Sequence, residues 1–176
     1  MVLEVKNICG LRRLISNVKI KGLVDEDFLQ YKVPSMFVIT CNCDFKCEKA
    51  CGKKLCQNSA IVDLPVIEMD DDELIDRYIS NPISKAVVFG GLEPILQFDE
   101  IVVFIDKLRN HYNDMDDIVI YTGYTEDEIH KQVGFLKIYP NIIIKFGRYI
   151  PDNPPHIDNI LGIELASDNQ YAKRIS

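Results

Sequence analysis

Residues 36–56 read Met36-Phe37-Val38-Ile39-Thr40-Cys41-Asn42-Cys43-Asp44-Phe45-Lys46-Cys47-Glu48-Lys49-Ala50-Cys51-Gly52-Lys53-Lys54-Leu55-Cys56. The first five residues are apolar or β-branched, the mark of a buried strand. That strand runs directly into a loop holding five of the chain's six cysteines. Thiolates packed this densely repel one another and oxidise unless something binds them, and a soft metal centre is the usual occupant of such a loop.

Working outward, the same order of elements repeats. Asp70 to Ile79 reads as a helix with acidic residues in its first turn, where the helix dipole favours them. Lys85-Ala86-Val87-Val88-Phe89 is a second buried strand, stopped by Gly90-Gly91. Phe98 to Tyr112 carries Ile101, Phe104, Ile105 and Leu108 at helical spacing. Asp117 to Tyr121 is a third strand, closed by Thr122-Gly123, and Thr125 with Glu128 forms a capping box that opens a short helix. Asn141 to Phe146 is a fourth strand, followed by Gly147-Arg148, and a weaker strand is expected over Ile160 to Leu165. Pro151 to Pro155 reads as a rigid surface connection. In residues 1–35, Val2 to Val5 and Val18 to Ile20 are expected to form a hairpin or edge strands.

Strand–helix–strand repeats of this length predict an α/β fold, because each parallel connection needs a crossover. The expected architecture is a parallel sheet with crossover helices, curled into a partial (β/α) barrel. One domain over residues 1–176 accounts for the length, with 1–35 packed on it as an extension. Ligands of such sheets bind beyond the carboxyl ends of the strands. The cysteine loop, Gly90-Gly91, Tyr121 to Tyr124 and Gly147-Arg148 all fall at such ends, which points to one composite site.

The formal net charge of −7 argues against a nucleic-acid surface built on phosphate contacts. No apolar run approaches the roughly 18 residues of a membrane span, and the first residues lack the layout of a signal peptide. A cytoplasmic location is the resulting expectation, and in that compartment clustered cysteines read as metal-binding or catalytic rather than as disulfides.

Zinc sites pair their cysteines or histidines across a dozen or more residues. This loop has no second pair at that distance, and His111, His130 and His156 lie far downstream. A four-iron cluster held by three cysteines suits the spacing better and leaves one iron open. Cys9 reads as a buried structural thiol and Cys41 as a packing residue. Asp70 to Glu73 reads as a solvated helix start rather than a cation site. Lys53 and Lys54 read as a solvated loop tip, with docking of an acidic electron donor such as a flavodoxin or ferredoxin as the alternative.

Four segments carry a resemblance. Thr40-Cys41-Asn42-Cys43-Asp44-Phe45-Lys46-Cys47 resembles the cluster loop of radical S-adenosylmethionine enzymes, whose usual spacing is Cys-x3-Cys-x2-Cys. Phe89-Gly90-Gly91-Leu92-Glu93-Pro94 resembles their Gly-Gly-Glu-Pro motif, with Leu92 inserted. Tyr121-Thr122-Gly123-Tyr124-Thr125 resembles the Thr-Gly-Tyr segment of the anaerobic ribonucleotide reductase activating proteins, and Ser167-Asp168-Asn169-Gln170 the Asn-Gln near their C-termini. The chain departs from the pattern after Cys47, where the next cysteine is Cys51 at x3 and another follows at Cys56. Cys43, Cys47 and Cys56 are the favoured ligands, with Cys51 the alternative third. Ligation by all four would close the open iron.

The resemblance implies a 4Fe-4S cluster and S-adenosylmethionine as cofactors. It implies that Gly90 and Gly91 approach the methionyl group, that Glu93 accepts a hydrogen bond from the cofactor or from a backbone amide, and that Tyr121, Thr122, Gly123 and Tyr124 line the adenosine side. Asn169 and Gln170 would seal the site or cap the C-terminal segment. The implied activity is an oxidoreductase that generates a glycyl radical on a partner protein, the anaerobic ribonucleotide reductase in the first instance. The alternatives are a small radical enzyme acting on a nucleoside or peptide, and a non-catalytic iron–sulfur or zinc binding module.

Overall fold

The computed structural model of the protein describes residues 17–54, 56 and 58–176. The expectations for Val2 to Val5 and Cys9 fall outside these residues. The described elements are β1 (Asn17–Asp27), β2 (Ser35–Thr40), α1 (Lys46–Cys51), α2 (Ser59–Val62), β3 (Ile67–Asp70), α3 (Asp71–Ser80), β4 (Ala86–Gly90), a 3-10 turn (Pro94–Gln97), α4 (Phe98–Asn110), β5 (Asp117–Tyr121), α5 (His130–Leu136), β6 (Ile142–Phe146), β7 (His156–Asp158), β8 (Ile163–Leu165) and β9 (Tyr171–Arg174).

Seven strands form one sheet in the order β3-β1-β2-β4-β5-β6-β9, and β7 pairs with β8 apart from it. The central four, β2-β4-β5-β6, are parallel. Every residue of β4 and β6 is buried, as expected of strands covered on both faces. The sequence expectation of a parallel sheet holds for this centre only. β1, β3 and β9 add antiparallel, which makes the sheet mixed and open, with β3 and β9 at its two edges. The reason is connection length. Residues 28–34 between β1 and β2 are enough for a hairpin, whereas a parallel pair needs a crossover of a dozen residues or more. Residues 17–27 are thus part of the sheet itself.

On the outer face, Val87, Phe89, Ile118, Ile120, Ile142 and Ile144 pack with Leu74, Ile75 and Tyr78 of α3, Ile101, Phe104, Ile105 and Leu108 of α4, and Val133 and Leu136 of α5. Phe89 and Phe104 meet edge to face at 5.3 Å. α3 begins where its acidic turn predicts, with Asp70 as the N-cap accepting from Asp72 N and Glu73 N. The Thr125–Glu128 box does close, Thr125 N donating to Glu128 Oε2 at 2.9 Å, but it caps a run of turns. The helix α5 starts only at His130.

The inner face is covered differently. Ala86, Val88, Val119 and Ile143 pack against Tyr31 of the β1–β2 connection and Leu161 and Leu165 of the β7–β8 region, with no long helix among the described residues. Side chains alternate along a strand, so Phe37, Tyr121 and Lys145 also belong to this face. The inner face reaches the carboxyl edge of the sheet beside the cysteine loop, and two neighbouring cavities lie there.

Candidate metal and cofactor centre

The in-register parallel strands bring the four signature loops to one edge. Ile39 pairs with Gly90, Phe89 with Ile120 and Tyr121 with Lys145. The loops that follow surround a cleft of about 190 Å³ whose wall includes Cys43, Cys47, Cys56, Gly91, Glu93, Gly123, Tyr124, Lys145, Arg148 and Gln170. Cys51 is half-buried at the end of α1 and does not line the cleft, nor does Cys41. Burial pushes the Cys43 thiol up to about 11, against the bond it accepts from Phe45 N, with Glu93, Cys47 and Cys56 adding to the rise. Burial, then Cys56, raises Cys47. The mutual influence of these three thiols reflects their grouping.

Among the described residues, no three His, Cys, Asp or Glu groups are gathered as ligands of one metal ion. Thiolates that hold a cluster bind different irons and stand farther apart than the ligands of a single ion. Three soft donors on one cleft wall fit a cluster in that way.

Glu93 organises the opposite wall. Its side chain is buried, and its Oε1 accepts from Thr122 Oγ1 at 2.7 Å and Ile95 N at 3.1 Å, while Oε2 accepts from Gly123 N at 2.9 Å. Its own N–H donates to Asn42 O at 2.7 Å, tying the Gly90-Gly91 turn to the cysteine loop. Burial raises its carboxyl above the ordinary range, against the pull of these donors.

The glycines differ in what they need. Gly91 has φ +84°, and a Cβ there would lie 2.6 Å from Ile39 Cγ2, so backbone and packing both demand glycine. A Cβ on Gly90 would meet the Phe37 ring at 2.9 Å. A Cβ on Gly123 would find only ordinary contacts, the nearest 3.5 Å away on Glu93 Oε2.

Of the residues assigned to the cofactor from sequence, Gly91, Glu93 and Gly123 line the cleft. Tyr121 and Thr122 line a neighbouring cavity of about 230 Å³, together with Gln30, Phe37 and Ile61. The Tyr121 hydroxyl donates to Gln30 O. Gly90 lines neither cavity, nor does Asn169, whose Nδ2 donates to Arg148 O at 2.7 Å.

Tyr124 and Arg148 belong to strand-end motifs already read from the sequence, whereas the wall residues Asp44, Lys46 and Lys145 were missed. Tyr124 donates to Asp44 Oδ2 at 2.7 Å, and Lys46 Nζ stands 4.1 Å from its ring centroid. Arg148 pairs with Glu128 at 2.6 Å. Lys145, 7% exposed, rises from β6 into the wall shared by the two cavities. A lysine inside Ile142-Ile143-Ile144-Lys145-Phe146 was the available signal, since charge in a buried strand demands a reason.

A protein-family model for a 4Fe-4S single cluster domain matches residues 32–158, spanning the cysteine loop and the whole parallel centre of the sheet. The chain belongs to the 4Fe-4S single cluster domain family. Comparison with curated proteins and with solved structures finds no match. Membership in the 4Fe-4S single cluster domain family agrees with a radical S-adenosylmethionine type of iron–sulfur protein and makes the cleft thiols candidate cluster ligands. Among the described residues, no helix is long and apolar enough to cross a membrane.

Proposed function

We propose that this 4Fe-4S protein is a radical S-adenosylmethionine enzyme of the activating type, and that Cys43, Cys47 and Cys56 hold its cluster. The observation that carries the reading is that these three thiols share one cleft with Gly91, Glu93 and Gly123, the residues that the motif resemblance directs toward the cofactor. A cluster held by Cys43, Cys47 and Cys56 would supply the electron for reductive cleavage of S-adenosylmethionine.

The chain's own part is to bind and enclose. Glu93 fixes the Gly90-Gly91 and Thr122-Gly123 turns relative to each other through its three accepted bonds. Gly91 carries backbone along the cleft wall without a side chain. The Tyr124–Asp44 bond and the Lys46 contact join the cysteine loop to the β5 turn and close the cleft on that side. The inner face of the sheet beside this edge would admit a glycine-bearing loop of a partner, the anaerobic ribonucleotide reductase in the first instance. An acidic flavodoxin or ferredoxin in the cytoplasm would supply electrons near the exposed Lys49, Lys53 and Lys54.

Anaerobic reconstitution tests the reading. One four-iron cluster per chain is expected, with a low-temperature EPR spectrum altered by S-adenosylmethionine, slow release of 5′-deoxyadenosine under reductant, and a glycyl radical on the partner. A reducible cluster that never cleaves S-adenosylmethionine, even with the partner present, would leave a cluster-binding module without this activity.

A further inference from the structure

The inner-face cavity of about 230 Å³ shares Asn58, Gly91, Leu92, Gly123 and Lys145 with the cleft, so the two spaces meet along a common wall. Its other side is formed by Gln30, Ile61 and Tyr121 among others. A pocket that encloses a whole small molecule has roughly 300 Å³ or more. A smaller cavity that leads to the cleft suits a segment of chain passing through.

The lip of this cavity is the β1–β2 connection, residues 28–34, and it is held on both sides. Asp27 Oδ1 accepts from Leu29 N at 2.9 Å and Gln30 N at 2.8 Å. The Gln30 carbonyl accepts from the Tyr121 hydroxyl, and the buried Tyr31 donates to Asp117 Oδ2 at 2.6 Å. Both main-chain groups of Gln30 are thus engaged, while its side-chain amide has no partner among the described residues. Asn58, on the shared wall, precedes α2 without a side-chain cap bond. A primary amide offers a donor and an acceptor, which is what a peptide unit requires.

On this fixed lip Phe28 and Leu29 are 63% and 74% exposed, the highest values of any large hydrophobic side chain among the described residues. Single exposed hydrophobics are ordinary. Two in succession, next to a residue that lines a cavity and on a loop whose order is already set, form a pre-organised anchor for another protein. Such a pair covers on the order of 300–400 Å². That is well short of the roughly 800 Å² per partner of a stable interface. Two copies joined through this knob alone would bury too little, whereas a partner that also lays chain in the cavity adds the missing contact. Asp25, Glu26 and Asp27 come directly before the knob, against Lys32 after it. An acidic approach repels a phosphorylated nucleotide and leaves a polypeptide as the fitting occupant.

We infer that the β1–β2 connection is the docking lip for a polypeptide substrate: Phe28 and Leu29 seat in an apolar hollow of the partner, whose chain runs over Gln30 and Asn58 into the inner-face cavity and so to the cleft. This rests on the function proposed above.

The test uses the anaerobically reconstituted full chain and the anaerobic ribonucleotide reductase of the same genome. Phe28→Ser/Leu29→Ser should hold the same iron and sulfide as wild type and release 5′-deoxyadenosine at the same rate without the partner. Its KM for the reductase in glycyl-radical formation should rise at least about tenfold at nearly unchanged kcat, the scale of a lost anchor. Ile138→Ser, at a residue 61% exposed elsewhere on the surface, should change that KM by less than about twofold. With p-benzoylphenylalanine in place of Phe28, irradiation should crosslink the chain to the reductase, and the same group in place of Ile138 should not.

An unchanged KM in the double variant overturns the inference and leaves the proposed function standing. A crosslink from position 28 to a second copy of this chain, or to nothing, does the same. If the double variant loses its cluster, the crosslink decides by itself. A chain that crosslinks to the reductase from position 28 yet never cleaves S-adenosylmethionine keeps the docking lip and overturns the proposed function.

Discussion

The two walls of the cleft are built on different principles. The sheet wall is set by burial: Glu93, Thr122, Lys145 and Gln170 are all at most 7% exposed and are bonded to turns that follow fully buried strands. The cysteine wall has no such support. Neither α1 nor α2 contains a buried residue, and neither has a side-chain cap. The residue preceding α1, Phe45, sits at φ +54°, and α1 ends at Gly52 with φ +66°. A helix of six residues with no buried face is marginal by itself. Polar ties hold the loop instead: Glu93 N to Asn42 O, Tyr124 to Asp44, Cys56 N to Glu48 Oε1 at 3.2 Å, and Lys21 Nζ to Val62 O at 2.9 Å. A wall made by packing is fixed before any ligand arrives, whereas a wall made by polar ties has its final order left to what the thiols bind.

The contrast breaks most decisively at the cysteines. Cys43→Ala, Cys47→Ala and Cys56→Ala should each lose essentially all iron and sulfide on reconstitution, while Cys51→Ala should keep them. Were Cys51→Ala to empty the site and Cys56→Ala to fill it, the third ligand would move to α1. On the sheet wall, Glu93→Ala removes a buried acceptor of three bonds and leaves their donors unpaired. A loss of about 3 kcal/mol is expected from urea denaturation of the cluster-free protein. A loss under about 0.5 kcal/mol, the scale of a surface substitution, would mean that the sheet wall is as loosely held as the loop.

A third experiment asks how much charge the outer layer behind the sheet tolerates. Asp71 is fully buried with Lys107 Nζ 3.6 Å away. Burial raises its pKa to about 6 from an ordinary 3.8, Lys107 opposing and Asp70 and Asp72 adding to the rise. The folded state thus binds a proton more tightly than the unfolded chain. That stability is present below pH 3.8 and is lost as the pH climbs toward 6. The stability of wild type relative to Asp71→Asn should therefore fall by roughly 2–3 kcal/mol between pH 3.5 and pH 7. A flat difference would place the carboxylate in contact with water. The smallest effect belongs to Gly123→Ala, whose new methyl meets only ordinary contacts. It should cost less than about 1 kcal/mol, whereas Gly91→Ala should cost more because of its positive φ and the nearby Ile39. Equal costs at the two positions would remove the distinction between a glycine required by the backbone and one merely present in the motif.

How much was legible beforehand follows the same division. The strands over 36–40, 85–89, 117–121 and 141–146 and the helix over 98–112 could be read because burial writes itself into sequence as apolar runs and helical spacing. Val18 to Ile20 was legible as a hairpin arm or edge strand, but the partners of β1 and the strands β3 and β9 were not, since alternation in a short strand does not say which neighbour it will pair with or in which direction. The family signature was visible as four motifs, yet their individual duties were not. Glu93 turns out to bind Thr122 and two backbone amides, and Gly90 packs against Phe37, contacts between residues distant in sequence.

By itself the sequence determined the alternation of strands and helices, the cysteine loop at a strand end and the 4Fe-4S family, because local apolar pattern and ligand spacing are properties of neighbouring residues. Tertiary structure alone decided that Cys56 rather than Cys51 lies on the cleft wall, that Glu93 spans two turns, and that Lys145 stands buried on the same wall. Those facts depend on in-register pairing of strands far apart in the chain, and only the folded sheet brings β2, β4, β5 and β6 to a common edge.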